Sequence, residues 1–162
     1  MNKRVPKPLI LIFSLIVSFA AAALGNLATI PNIPTWYAAL EKPLLNPPNW
    51  VFGPVWTILY TLMGIALYLV IVSKRSAKNQ RKLNVYLLFG AQLTLNALWS
   101  ITFFGLHFIE AAVAVILILL TSIVLTIIKF WPYSPLAAKL LIPYALWVSF
   151  ATYLTIGIAL VN

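Results

Sequence analysis

The chain has 162 residues, 63% of them hydrophobic and only 8% charged, with a mean hydropathy of +1.01. Soluble domains carry about 25% charged residues, so this composition excludes an ordinary water-soluble fold and points to a single membrane domain, residues 1–162. Cysteine is absent, which rules out disulfides, thiol nucleophiles and thiolate metal sites, and the net charge of +9 comes from Lys and Arg flanking apolar runs rather than from a basic nucleic-acid-binding stripe.

A spanning helix needs about 20 mostly apolar residues, and five segments qualify. The first is about 9–30. With Lys3 and Arg4 before it and Ala21, Ala22 and Ala23 within it, this segment also has the outline of a signal peptide. Its apolar run continues to Ile30, and Ala21 and Gly25 form a small-xxx-small pair suited to close helix packing, so it reads as helix one.

The connection 31–49 is long for a compact domain and holds five of the eleven prolines: Pro31, Pro34, Pro43, Pro47 and Pro48. Residues 35–42 suit a short helix, with Thr35 as N-cap and Pro43 as terminator. A stiff aromatic loop of this kind suits a lid. It equally suits a surface loop whose Trp36 and Tyr37 sit in the interfacial belt.

The second helix covers 50–72. A basic loop leads to the third, 83–104. A minimal turn at Gly105 to His107 joins it to the fourth, 108–128. The fifth covers 137–161, and Pro143 inside it removes one backbone donor and predicts a kink. The expected fold is an all-α membrane bundle of five transmembrane helices.

Charge sets the expected orientation. Lys3, Arg4 and Lys7, then Lys74, Arg75, Lys78, Arg81 and Lys82, then Lys129 and Lys139 all fall on one side; Lys42 alone falls on the other. That ten-to-one bias predicts a cytoplasmic N-terminus and an external 31–49 loop.

Helical spacing gathers the aromatic and polar residues into faces. Trp56 and Tyr60 share one face of helix two. Asn96, Trp99 and Phe103 share one face of helix three, and Trp147, Ala151 and Leu154 one face of helix five. Depths of about 9 Å for Trp56 and about 8 Å for Trp99 below the outer helix ends allow these faces to converge under the loop. Trp50 and Trp131, at helix ends, read as belt residues. Trp56, Trp99 and Trp147 lie deeper, where they either line a cavity or pack, and Asn96 either faces that cavity or joins helices by hydrogen bonds.

No spanning segment holds a buried charge pair, and no Ser/His/Asp set, phosphate loop or metal cluster is visible. His107 has no second ligand residue near it in sequence, and Glu110 reads as a helix-start charge. What remains is an aromatic cavity suited to a flat hydrophobic ligand.

Three stretches carry a resemblance. The first runs Trp36-Tyr37-Ala38-Ala39-Leu40-Glu41-Lys42-Pro43 and resumes as Asn46-Pro47-Pro48-Asn49-Trp50-Val51-Phe52-Gly53-Pro54-Val55-Trp56-Thr57-Ile58-Leu59-Tyr60. The second is Gln92 to Ser100, followed by Phe103-Phe104-Gly105. The third is Leu141-Ile142-Pro143-Tyr144, followed by Trp147, Phe150, Ala151 and Leu154. In this order they resemble the tryptophan-rich sensory protein, or TspO/MBR, family, which includes the mitochondrial translocator protein.

The resemblance implies a five-helix bundle, often a homodimer, in a prokaryotic cell membrane. It implies a receptor or carrier for tetrapyrroles such as protoporphyrin IX and for other flat hydrophobic ligands, with a role in porphyrin or stress sensing. It requires no cofactor and no metal, and the partners are the hydrophobic ligand and membrane lipid, not nucleic acid. The candidate ligand-binding set is Trp36, Tyr37, Trp56, Tyr60, Asn96, Trp99, Phe103, Trp147, Ala151 and Leu154.

Two alternatives accompany that reading. One is a light-dependent porphyrin-degrading enzyme, with Trp56 and Trp147 as its catalytic residues. The other is a sterol- or lipid-binding scaffold. The sequence departs from the family at Leu45, where Trp is common, and at Thr155, where Asn is common. Nothing basic follows Tyr153, so the C-terminal sterol motif of animal members is incomplete; Leu62, Tyr68 and Lys74 fit a loose sterol pattern elsewhere.

Overall fold

The computed structural model describes residues 6–74 and 79–162, the side chains of 79–82 excepted. Lys3, Arg4, Arg75, Lys78 and the side chains of Arg81 and Lys82, which carry much of the charge bias, lie outside it. The described residues form α1 (Lys7–Asn32), α2 (Trp36–Ala39), a 3₁₀ turn (Asn49–Val51), α3 (Phe52–Val72) and α4 (Asn79–Ser100). After a π-helical turn (Ile101–Gly105) come α5 (Ile109–Phe130), α6 (Pro135–Leu140) and α7 (Ile142–Val161). Five helical spans are long and apolar enough to cross a membrane: Lys7–Asn32, Asn49–Val72, Leu83–Gly105, Ile109–Phe130 and Pro135–Val161.

Their packing order is not their chain order. α1 packs on α3 and α4, α4 on α5, and α5 on α7, while α6 fills in against α3 and α5. Lipid tails are as apolar as Leu, so close packing rather than hydrophobicity holds such helices together. α1 is built for this: its buried residues are Ser14, Ser18, Ala21, Ala22 and Gly25, all small. The two serine hydroxyls donate back to the Ile10 and Ser14 carbonyls, so neither brings an unpaired donor into the interface. Opposite them, a Cβ on Gly64 would lie 2.7 Å from Leu15 Cδ2 and 3.0 Å from Leu15 Cα, so any larger residue would push the two helices apart or move the Leu15 side chain.

Several local expectations are corrected. Thr35 occupies the N-cap position of α2 but does not cap it; its hydroxyl donates to the Pro31 carbonyl at 3.0 Å, one turn back. Helix one begins at Lys7 and continues through Pro31 to Asn32. The fifth span is not one kinked helix. α6, capped by the Ser134 hydroxyl, which accepts from Ala137 N–H at 3.2 Å, stops at Leu140, and α7 restarts at Ile142. Leu141 N–H bonds to the Ala138 carbonyl at 3.1 Å, a tightened last turn. Pro143 therefore falls in the first turn of α7, where its missing N–H costs nothing.

Candidate functional site

The basic half of the bundle is filled. Met63, Ala66, Val70, Ile123 and Phe130 are wholly buried, and the Phe89 and Phe130 rings stack at 5.7 Å. The half nearer the 33–48 loop is not. Between α1, α3, α4 and α7 lies a cavity of about 430 Å³, within the size range of small-molecule sites. None of its wall residues is charged.

Seven of the ten sequence candidates meet at this cavity: Tyr37, Trp56, Tyr60, Asn96, Trp99, Trp147 and Ala151. Three do not. Trp36 stacks on His107 with ring centres 4.2 Å apart and meets Phe103 edge-on at 5.3 Å, so its ring is used in the roof. Leu154 is buried one turn beyond Ala151, outside the wall. Phe103 is buried behind Trp99, stacked on it at 5.6 Å.

The π turn explains the last case. An i→i+5 turn brings the fifth residue, not the fourth, back to the same face. The Leu106 N–H bonds to the Ile101 carbonyl at 2.8 Å in this way. Phe104, five residues after Trp99, therefore lines the cavity in place of Phe103. No regular helical periodicity reveals such an insertion.

A buried polar network closes the deep end. Tyr60 donates its hydroxyl to Asn96 Oδ1, and Asn96 Nδ2 donates to the Tyr144 hydroxyl at 2.9 Å. Asn96 thus both faces the cavity and joins α3, α4 and α7, so the two readings of this residue are one. One turn below, Gln92 Oε1 has no partner among the described residues.

Aromatic rings wall the rest. Trp56 lies 5.6 Å from Tyr60 and 6.3 Å from Tyr144. Trp147 meets Phe52 edge-on at 6.0 Å. The Nε1 atoms of Trp99 and Trp147 are buried without a partner among the described residues. Both are closed off from the cavity space, so these indoles offer it carbon surface.

The roof is the 33–48 loop. Tyr37 is 4% exposed, and burial raises its pKa while the hydrogen bond to Asn46 opposes that shift. It remains a phenol and donates to Asn46 Oδ1 at 2.8 Å. His107 Nε2 pairs with Asn32 Oδ1 at 3.1 Å, with the His107 backbone at φ 59°. Sequence reasoning missed Phe19, Asn26, Phe52 and Ser100, and it placed Trp50 in the belt although Trp50 also lines the cavity. The signal for Phe52 was present: it lies four residues before Trp56, on the same face.

The fold and site define a multi-pass integral membrane protein with a blind, aromatic-walled, uncharged pocket. The sequence pattern of the TspO/MBR family matches residues 13–161, and the chain belongs to that family. Tryptophan-rich protein TspO of Archaeoglobus fulgidus is 41% identical over 152 residues, 94% of this chain and 96% of that one. The protein of the same name in Chlorobaculum tepidum is 40% identical over 162 residues, 100% of this chain and 99% of that one. The human translocator protein is 42% identical over 120 residues, 74% of this chain and 70% of that one. The archaeal and bacterial relatives support a prokaryotic membrane location.

Proposed function

We propose that the protein is a membrane receptor or carrier that binds protoporphyrin IX and related flat hydrophobic molecules in this cavity. The observation that carries the reading is the wall itself: Trp56, Trp99 and Trp147 around one uncharged space, with the Tyr60–Asn96 pair at its deep end. Indole faces hold a flat π-system by stacking and dispersion, and the amide and hydroxyls orient its polar edge. A macrocycle larger than the cavity protrudes through its open side. Ligand binding needs no cofactor and no metal. The relatives' names, which include translocator protein and tryptophan-rich sensory protein, fit a role in sensing or moving a ligand. The loop end faces outward in this reading, and the working unit is a homodimer.

The test is a titration with protoporphyrin IX in the dark, read by tryptophan fluorescence. Saturable quenching is expected, weakened at least tenfold by Trp147→Ala and by Asn96→Ala. Parent-like binding by both variants refutes the pocket assignment.

A second reading is favoured by one specific feature: Trp56 and Trp147 border the same cavity, so a bound porphyrin lies against both. Light-excited porphyrin can exchange an electron with a stacked indole. Illuminating the complex should then yield a new absorbing product, lost in Trp56→Phe or Trp147→Phe while binding persists. Unchanged porphyrin after illumination leaves the receptor reading alone. The scaffold reading, in which sterol or lipid occupies the site, predicts no porphyrin quenching at all.

A further inference from the structure

We propose that ligands enter the cavity sideways from the bilayer, through a cleft between α1 and α3 in the half nearer the 33–48 loop. Asn26, on α1, is then a polar group they meet at the mouth. The proposal takes from the proposed function only that the ligand dissolves in the membrane.

The two helices cross tightly and then part. At the crossing, Gly64 abuts Leu15 as described, and one turn further Phe19 and Tyr60 sit 6.1 Å apart. Beyond that point α1 leans on α4. A Cβ on Gly25 would lie 3.1 Å from Ser100 Oγ, a Cβ on Gly105 would lie 3.2 Å from Ala28 Cβ, and Asn32 pairs with His107. α3 leans the other way, bringing Phe52 to Trp147 and Trp56 to Tyr144. The cavity occupies the gap between them.

Exposure locates the opening. The exposed wall residues are Phe19, Asn26, Ile30, Asn49, Trp50, Gly53 and Thr57. All belong to α1, to α3 or to the turn leading into α3. The wall residues of α4, the π turn and α7 are buried or half-buried. A Cβ on Gly53 would meet nothing within 4 Å, so the space beside it is open.

The roof, by contrast, is tied down. Glu41 N–H donates to Asn162 Oδ1 and Asn162 Nδ2 donates to the Glu41 carbonyl, both at 3.0 Å. Tyr153 donates to the Leu44 carbonyl at 2.7 Å. Pro43 packs so closely on α7 that a Cβ on Gly157 would lie 2.7 Å from its ring. Opening upward breaks all of these contacts, whereas entry from the side breaks none.

Asn26 gives the mouth its chemistry. Its amide, like that of Asn49 at the start of the span leading into α3, has no partner among the described residues, whereas the Thr57 hydroxyl is satisfied by the Gly53 carbonyl at 2.9 Å. An unpaired polar side chain on a spanning helix is costly and points to function. It suits an amphipathic ligand with an apolar body and a polar edge.

The native chain has no cysteine, so an introduced thiol reports cleanly. Ser100→Cys, on the cavity wall, is labelled in nanodiscs with pyrene maleimide, a membrane-partitioning reagent, and modification at residue 100 is followed by mass spectrometry. The same measurement is made with the mouth plugged by Gly53→Trp or by Thr57→Trp. It is repeated with the roof locked by an oxidised Pro43→Cys/Gly157→Cys pair, which needs only about 1 Å of relaxation to reach disulfide geometry. Each plug is expected to slow labelling at least tenfold, while the lock changes it less than twofold. A misfolded plug variant would label faster, not slower. Three results overturn the proposal: the lock slows labelling tenfold and reduction restores it, the plugs leave the rate unchanged, or the unplugged thiol is not labelled. None of these readouts depends on porphyrin binding, so a failed porphyrin titration leaves the test intact.

Discussion

Pro43 rests directly on Gly157: a Cβ at position 157 would lie 2.7 Å from both Cβ and Cγ of the proline ring. This contact seats the loop on the end of α7, beside the reciprocal Glu41–Asn162 hydrogen bonds. Gly157→Ala forces the ring away, and overpacking of this kind costs about 1–3 kcal/mol. The cost falls on the roof rather than on the bundle. Hydrogen exchange at the Glu41 amide should therefore accelerate by about 5- to 150-fold, since about 1.4 kcal/mol is a factor of ten, while α5 amides stay protected. Unchanged exchange at Glu41 would show that the loop is seated by other contacts.

The Tyr60–Asn96–Tyr144 chain predicts an asymmetric mutational response. Asn96→Ala strands two buried hydroxyls, and leaving a buried polar group unpaired costs about 1–3 kcal/mol each. Tyr60→Phe strands one group, the buried Asn96 Oδ1, and leaves Asn96 still bonded to Tyr144, a loss of about 1–3 kcal/mol. Thermal unfolding in detergent should rank parent, Tyr60→Phe and Asn96→Ala in falling order. A double variant, Tyr60→Phe with Asn96→Ala, should lose less than the sum of the singles because the two share one bond. Strict additivity would mean the pair is not energetically coupled.

Gly64 predicts a packing defect between α1 and α3. Its absent Cβ leaves room for both the side chain and the backbone of Leu15. Gly64→Val should lower stability by about 1–3 kcal/mol or more, because α1 must shift as a body. Adding Leu15→Ala removes the clashing Cδ2 and Cγ but not the Cα, so it should restore only part of the loss. Full restoration would show that the backbone approach at 3.0 Å is not limiting.

The five spans were legible because runs of about 20 apolar residues have few alternatives in a membrane. The convergence of Trp56, Tyr60, Asn96, Trp99 and Trp147 was legible too, because regular helical spacing fixes which residues share a face. What escaped depends on departures from regularity or on long-range seating. The π turn moved the aromatic register from Phe103 to Phe104. The break at Leu141 placed Pro143 at a helix start. Trp36 reads as a pocket residue until His107, far along the chain, stacks on it. Asn26, an amide within the apolar run of α1, carried a signal in its polarity, but only the parting of α1 from α3 shows what it borders. Thr155 departs from the family without leaving a gap, since its hydroxyl is buried and donates to the Ala151 carbonyl at 2.8 Å.

Leu45 is the one departure from the family that the backbone penalises. It stands at φ 71°, in the left-handed region, with its side chain 77% exposed. That conformation costs an L-residue about 1–2 kcal/mol, and burial returns little of it here. Asn tolerates the left-handed region through local hydrogen bonding, and no packing is lost on replacing an exposed leucine. Leu45→Asn should therefore stabilise the loop by about 0.5–1 kcal/mol, seen as slower exchange at the neighbouring Asn46 amide, which bonds to the Pro43 carbonyl. Leu45→Trp should leave that exchange unchanged, because a tryptophan pays the same backbone cost. Neither variant should alter porphyrin affinity more than about twofold, since Leu45 lies outside the cavity wall. A tenfold affinity change in either would give position 45 a direct contact with ligand and would extend the site onto the outer face of the loop.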